Sequence, residues 1–362
     1  MAVTGINLID LKNKGCLHAN PWTLVVGAGI CHGILPTWFE LTRRIFNICL
    51  KKNLDPAKFK TFYDETSFSL DSIIQSALNK HILDGGTNES FSEILQEQLY
   101  SDLLSNADKH GLKKEIIKLF YSTKSFTKDE VINVCDFFDK EYGQTTILKL
   151  VKVLIEKHEE TRLPKSIITF NADSLLYALL ILYNIKTNYD KTGVYKQVEK
   201  TYKQVIRPFE LWEDKIPIFH LHGAISPNNP DPYTKRKVKL RDGRNNLIFW
   251  ESTYTKIAGS MFSWAQTNFL YNSLSTSFVF LGLSMSDPNI RKWLSWTAED
   301  FNQQIEEFTG KKVNILKHIW IKPIPSDTQE KEFYEASLNH LSVKMGWISS
   351  WNEFEEGLKN IL

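Results

Sequence analysis

The chain has 362 residues, which at about 150 per domain leaves room for one elaborated domain or two modest ones. Lys and Arg total 44 against 42 Asp and Glu, a net charge of +2, so no global field selects nucleic acid or acidic lipid as a partner. A hydrophobic content of 42% with 12% aromatics excludes a disordered chain, and no run of about 18 apolar residues offers a bilayer span.

A soluble globular protein without membrane association is therefore expected. The opening stretch, MAVTGINLIDLKNKGCLHAN, lacks a basic region followed by an apolar run and a small-residue cleavage site, which points to the cytoplasm. Thr23 to Val26 form a short β-rich run that breaks at Gly27, Ala28 and Gly29 and leads, past Pro36, into the helical pattern WFELTRRIFNICL. That is strand, tight turn, helix. From 53 to 165 only helical periodicity is present, in SLDSIIQSALNKHIL, SFSEILQEQLYSDLL, LKKEIIKLFYS and TTILKLVKVLIEKH. Thr127 with Glu130 matches a capping box, and Asp84, Gly85 and Gly86 read as a turn between helices.

Four more strand candidates follow: SIITF (Ser166 to Phe170), IPIFHLHG (Ile216 to Gly223), SFVFLG (Ser277 to Gly282) and HIWIKP (His318 to Pro323). Helical patterns follow the first and third of them, in SLLYALLILY and RKWLSWTAEDF. Strands apolar on both faces and separated by helices predict an α/β fold with a mostly parallel sheet covered on both sides. The expected organisation is one sheet domain from 1–52 and 166–362 with a helical insertion at 53–165. Cys16, Cys31, Cys49 and Cys135 are isolated in sequence. With no C-x-x-C pair, a structural zinc is not expected, and the cysteines read as small buried hydrophobes.

In an open parallel sheet ligands bind beyond the carboxyl ends of the strands, where turns expose backbone donors. Four sets qualify: Gly27 to Gly29, Asn171 to Asp173, His222 with Gly223, and Gly282 with Ser284 and Asp287. The first could admit a pyrophosphate to the backbone or be an ordinary tight turn. In IPIFHLHG, strand alternation puts Ile216, Ile218, His220 and His222 on one face, with His222 at the mouth and His220 about 6.6 Å deeper as a core histidine. Asn171 could hold a water or a ribose hydroxyl, or cap the next helix; Asp173 could accept from an amide or hydroxyl. Ser284, Asp287 and Asn289 are good turn and cap formers, and Pro288 suits a first helical turn.

Taken in order, VVGAGI, LPTW, IITFNADSLL, HLHGAI and FLGLSMSDPNIR resemble the sirtuin-like family, in particular its prokaryotic antiphage-defence branch, whose members hydrolyse NAD+. The resemblance implies a Rossmann-like sheet with NAD+ across its mouth. It places Gly27, Ala28 and Gly29 at the phosphates and Asn171 and Asp173 near the nicotinamide ribose and carboxamide. His222 becomes the catalytic histidine, with Asn171 orienting the water or ribose. Gly282, Ser284 and Asp287 fall on the cofactor-binding side, towards the adenosine ribose.

The implied activity is an NAD+ glycohydrolase that yields nicotinamide and ADP-ribose. Its implied setting is abortive infection, regulated by self-assembly into a homo-oligomer or by a separate partner such as an ATPase or sensor protein. Three departures stand out. The four-cysteine zinc module of the deacylase sirtuins is lacking, which counts against peptide deacylation. Cys31 stands where serine is usual, and Ala172 replaces a larger residue. Two alternatives stay open: ADP-ribosyl transfer or deacylation in the same pocket, and a nucleotide-sensing module without catalysis. The basic cluster from Lys235 to Arg244 reads as a solvated hairpin or protein contact ahead of a nucleic-acid contact, because it lacks interleaved aromatics.

Overall fold

Among the described residues, the computed structural model has eight strands: β1 (Ile6–Asn7), β2 (Trp22–Val26), β3 (Ser166–Thr169), β4 (Tyr202–Val205), β5 (Ile216–His220), β6 (Ser277–Leu281), β7 (His318–Pro323) and β8 (Val343–Ile348). The structure describes residues 5–11, 21–121, 125–156, 163–195, 201–228, 247–259, 263–312 and 314–362. All eight strands pair in parallel in one sheet, ordered β1-β8-β7-β6-β2-β3-β5-β4. The fold is α/β and Rossmann-like.

The central strands are apolar on both faces because both faces are covered. Leu24, Val26, Ile167, Ile218, Val279 and Leu281 enter one core, and Val25, Ile168, Phe219, Phe278 and Phe280 enter the other. Each fully buried side chain of this size contributes about 1.5–3 kcal/mol, so burial on both faces fixes the register at the middle of the sheet.

On the first face lie α1 (Trp38–Cys49), α3 (Leu70–Leu83), α4 (Asn88–Lys109), α5 (Lys113–Tyr121), α6 (Lys128–Tyr142), α7 (Thr146–Glu156), α8 (Leu175–Thr192) and α13 (Phe354–Ile361). The second face carries α10 (Trp264–Ser275), α11 (Pro288–Thr309) and α12 (Thr328–Leu338). Two further helices are α2 (Pro56–Thr66) and α9 (Glu251–Gly259). The described residues between 53 and 156 carry α2 to α7, and Leu95, Leu103, Ile147 and Val151 of these helices share one core with the sheet. Phe59 and Ile73 form a satellite with Phe46 of α1. Thr127 and Glu130 make the expected capping box, and Asp84 to Gly86 make the expected turn, with Gly85 at φ +89°.

Three strands were not foreseen from the sequence. β1 has two residues, β4 (YKQV) is an edge strand with Lys203 and Gln204 side by side between buried Tyr202 and Val205, and β8 carries Lys344 and Gly346 inside an otherwise apolar run. IPIFHLHG is also shorter as a strand than expected, since β5 ends at His220.

Candidate functional site

Because every strand is parallel, the carboxyl ends of β6, β2, β3 and β5 lie side by side on one edge of the sheet. The chain leaves β2 into α1 on one face and leaves β6 into α11 on the other. Neighbouring strands whose following helices part in this way open a crevice between their ends. All four sets of strand-end residues lie at this edge of the sheet.

Gly27 and Gly29 bring the β2 and β6 ends together. The Gly27 N–H donates to Leu281 O at 3.0 Å and the Gly29 N–H to Gly282 O at 2.9 Å. A Cβ on Gly29 would lie 2.8 Å from Gly282 O, and one on Gly282, at φ +64°, would lie 2.5 Å from Ile30 N. These glycines are therefore required by the close approach of two strand-end turns, a demand that stands apart from any phosphate. Ala28 and Gly29 are exposed at the mouth, whereas Gly27 is buried.

The Asn171 to Asp173 segment divides its work. Asp173, just before the Ser174 N-cap of α8, accepts with Oδ1 from Leu175 N at 2.9 Å. Asn171 does not cap: its Nδ2 donates to Cys31 Sγ at 3.6 Å, and its Oδ1 is buried with no hydrogen-bond partner. The Cys31 thiol lies 3.6 and 3.8 Å from the two Asp173 oxygens. Burial raises the Asp173 carboxyl above its usual range and the Cys31 thiol well above its own. Among the described residues Asp173 has no cationic partner.

Thr169 and His220 are in register on β3 and β5, and Asn171 and His222 each lie two residues beyond that pair. The segments stay joined past the strands, since Leu221 N donates to Thr169 O at 3.1 Å and Ile225 N to Ala172 O at 2.7 Å. The expectation that His220 and His222 share a strand face is corrected here. The strand ends at His220 and the chain turns through Gly223 at φ +77°, so alternation no longer dictates where the His222 ring lies. His220 is buried against Gln204, Nε2 to Nε2 3.1 Å, and Gln204 also donates to Ser174 Oγ at 2.9 Å. His222 instead sits between two rings, Phe170 at 4.9 Å and Tyr254 at 5.2 Å between centroids, both edge-on. Burial pushes His220 down to about 4 and His222 down to about 3, so both imidazoles are neutral at neutral pH.

In the fourth set, Asp287 caps α11 by accepting from Asn289 N at 2.8 Å and Ile290 N at 3.4 Å, and Pro288 takes the first helical turn. Ser284 is exposed and 2.6 Å from Ser286 Oγ. Asp287 also faces the helical part: burial, then Asp287 and Glu251, push Asp71 of α3 up to about 6.

Residues that the sequence did not point to hold these loops in place. Tyr100 of α4, fully buried, donates to Ile225 O at 2.7 Å and accepts from Ser174 N at 3.1 Å, tying the β3 and β5 exits together. Gln96 donates to Ser226 O and Tyr121 to Pro227 O. Nothing in the helical periodicity of 88–109 separates Tyr100 from a core aromatic. Cys31, Cys49 and Cys135 are buried and free. The basic cluster from Lys235 to Arg244 and Cys16 lie outside the described residues. Among the described residues, no group of three or more His, Cys, Asp or Glu is placed to hold a metal ion, and no helix is long and apolar enough to cross a membrane.

Residues 165–341 match the SIR2-like domain. The matched stretch holds Asn171, Asp173, His222, Gly282, Ser284 and Asp287, while Gly27 to Cys31 lie before it. No curated protein matches the sequence. The match supports a sirtuin-like family and agrees with NAD-related chemistry in a Rossmann-like fold.

Proposed function

We propose that the crevice binds NAD+ and hydrolyses its nicotinamide–ribose bond, releasing nicotinamide and ADP-ribose. One observation carries the reading: Asn171 Oδ1 is buried without a partner at the carboxyl edge of the sheet. An unpaired buried acceptor costs about 1–3 kcal/mol, and a ligand hydroxyl, amide or ordered water donating to it would remove that cost.

The charge of the site supports the same reading. Asp173 is a buried carboxyl with no cation beside it among the described residues, so a cationic ligand is favoured over a neutral one. NAD+ carries such a charge on its pyridinium. When the bond breaks, its electron pair goes to the ring nitrogen, nicotinamide leaves neutral, and positive charge moves to the ribosyl carbon. A water oxygen then bonds that carbon, and the proton it gives up passes to bulk solvent.

The residues of this chain have three tasks in that step. Asn171 Oδ1 orients the water or a ribose hydroxyl. Asp173 offsets the cationic charge. His222, neutral and between two aromatic rings, accepts a hydrogen bond from a hydroxyl; holding a full proton there would place an imidazolium in an apolar slot. Ala28, Gly29 and Ser284, exposed at the mouth, are left to meet the phosphates and the adenosine ribose, with Gly27, Gly282 and Asp287 fixing the turns that present them. The same proposal takes the chain as a defence effector whose activity is released by self-assembly or by a partner protein.

The test is nicotinamide release from NAD+ by the full chain, with products identified by mass spectrometry. Asn171→Ala and His222→Ala are each expected to lower turnover by roughly 10² to 10³-fold. Wild-type rates in both would remove this site, and ADP-ribose found attached to protein would replace hydrolysis by transfer.

A further inference from the structure

We infer that Cys31 is a positioning residue for Asn171: the thiol proton goes to the Asp173 carboxylate, the sulfur accepts from Asn171 Nδ2, and Asn171 Oδ1 is thereby left as the acceptor offered to the ligand. The inference rests on the NAD+-cleaving reading for its kinetic consequence and on geometry alone for the hydrogen bonds.

The orientation follows from where the protons sit. Cys31 Sγ has two polar neighbours, the Asp173 carboxylate at 3.6 and 3.8 Å and Asn171 Nδ2 at 3.6 Å. Burial raises the Asp173 carboxyl, but the bond it accepts from Leu175 N favours its ionised form, and an ionised carboxylate can only accept, whereas an amide can present either end. The single S–H is therefore drawn to Asp173, which leaves lone pairs on the sulfur towards Asn171. Only the NH₂ end of the amide can meet those lone pairs. Turning the amide over would set oxygen against sulfur with no proton between them and would offer the crevice a donor in place of an acceptor. Asp173 is itself held by Leu175 N at 2.9 Å, so the start of α8 anchors the chain of bonds that ends at Asn171 Oδ1.

All three side chains are at most 7% exposed, so water does not compete for these bonds. Burial keeps Cys31 protonated, which the arrangement requires. A serine hydroxyl, one donor with acceptor lone pairs, can make the same two bonds. Alanine can make neither.

Two measurements on the full chain test this. In the first, kcat and KM for NAD+ are compared in wild type, Cys31→Ala and Cys31→Ser, with melting temperature and the folded fraction recorded for each. Cys31→Ala is expected to lose on the order of 10²-fold in kcat per folded molecule with KM little changed, and Cys31→Ser to restore it. A purely structural cysteine would lower the melting temperature and leave kcat per folded molecule intact. That result overturns the proposal.

The second measurement needs no turnover. The infrared difference between wild type and Cys31→Ser isolates the Cys31 S–H stretch, which is expected at the lowered frequency of a thiol bonded to a carboxylate, and to rise in Asp173→Asn. A band at the frequency of a free thiol overturns the proposal whatever the activity. If wild type releases no nicotinamide, the NAD+ reading falls by itself, and the thiol band decides the orientation of Asn171.

Discussion

Tyr254 stands edge-on to His222, ring centroids 5.2 Å apart and planes at 88°. Tyr254 belongs to α9, and that element is held by the helical part of the chain. Ser252 N donates to Gln75 Oε1 at 3.1 Å, Trp250 packs on Phe91 at 5.9 Å, and Phe249 packs on Trp38 at 4.5 Å. The helices between α1 and β3 thus reach the His222 imidazole through one aromatic ring.

Removing that ring should be visible at the histidine. Burial alone pushes His222 down to about 3, and Tyr254 is one of the two rings that exclude water from it. In Tyr254→Ala the pKa of His222 is expected to rise towards the ordinary value of about 6.5, whereas Tyr254→Phe should leave it low. Titration of the imidazole carbon-bound protons by NMR, assigned with His222→Phe, reads this directly. An unchanged pKa in Tyr254→Ala would assign the desolvation to the Phe170 side.

Tyr100 offers a sharper stability test. Its hydroxyl serves Ile225 O and Ser174 N at once, both away from solvent. Tyr100→Phe keeps the ring and strands one donor and one acceptor, at an expected cost of about 1–3 kcal/mol. Urea denaturation should show a lower midpoint with an unchanged slope, because the surface exposed on unfolding is the same.

The central strands and most helices were legible because their signals are local. An apolar run ending in Gly27 to Gly29, or the Thr127 to Glu130 spacing, says what it is without the rest of the chain. β4 and β8 escaped because an edge strand and a strand containing Gly346 take their identity from neighbours. In β8 a Cβ at Gly346 would lie 2.9 Å from Ile319 Cγ2, a contact invisible in the sequence. At the crevice, strand-end position selected Asn171, Asp173 and His222. Alternation then failed for His222, since it describes a strand and the strand had ended. Cys31 reads from the sequence as a small buried hydrophobe and a departure from serine, and Tyr254 carries no signal at all, because its role exists only once α9 brings its ring against His222.

Two glycines with the same backbone conformation separate strain from close approach. Gly282 has φ +64° and Gly310 has φ +66°, but a Cβ on Gly282 would lie 2.5 Å from Ile30 N while one on Gly310 meets nothing within 4 Å. Both alanine variants bear the left-handed cost, about 1–2 kcal/mol. Gly282→Ala must in addition push the β6 exit off the β2 exit, breaking the Gly29 N to Gly282 O bond. Thermal melting is expected to show a clearly larger loss for Gly282→Ala than for Gly310→Ala. Equal losses would mean that the two turns are free to part.

Acid should weaken the fold through its buried histidines. His220 is held down at about 4, and His222 and His318 at about 3, in each case chiefly by burial. His318 shows why the neutral form is needed, since its Nδ1 accepts from Phe278 N at 3.0 Å. In the unfolded chain these rings take protons below about pH 6.5, while in the fold they stay neutral until near pH 4 or 3. Their contribution is therefore complete above pH 6.5 and is lost as the pH falls from there towards 4. Each such ring adds about 1.4 kcal/mol per pH unit to the slope. Asp71, Asp173 and Asp287, raised by burial, act in the opposite sense, so the clean measurement is a difference between variants. His222→Phe places an apolar ring between Phe170 and Tyr254, and urea denaturation at pH 5 and pH 7.5 should show less acid destabilisation in this variant than in wild type by about one histidine's share. The same pH dependence in both would mean that His222 takes up its proton in the fold as readily as in the unfolded chain, contradicting its placement in the aromatic slot.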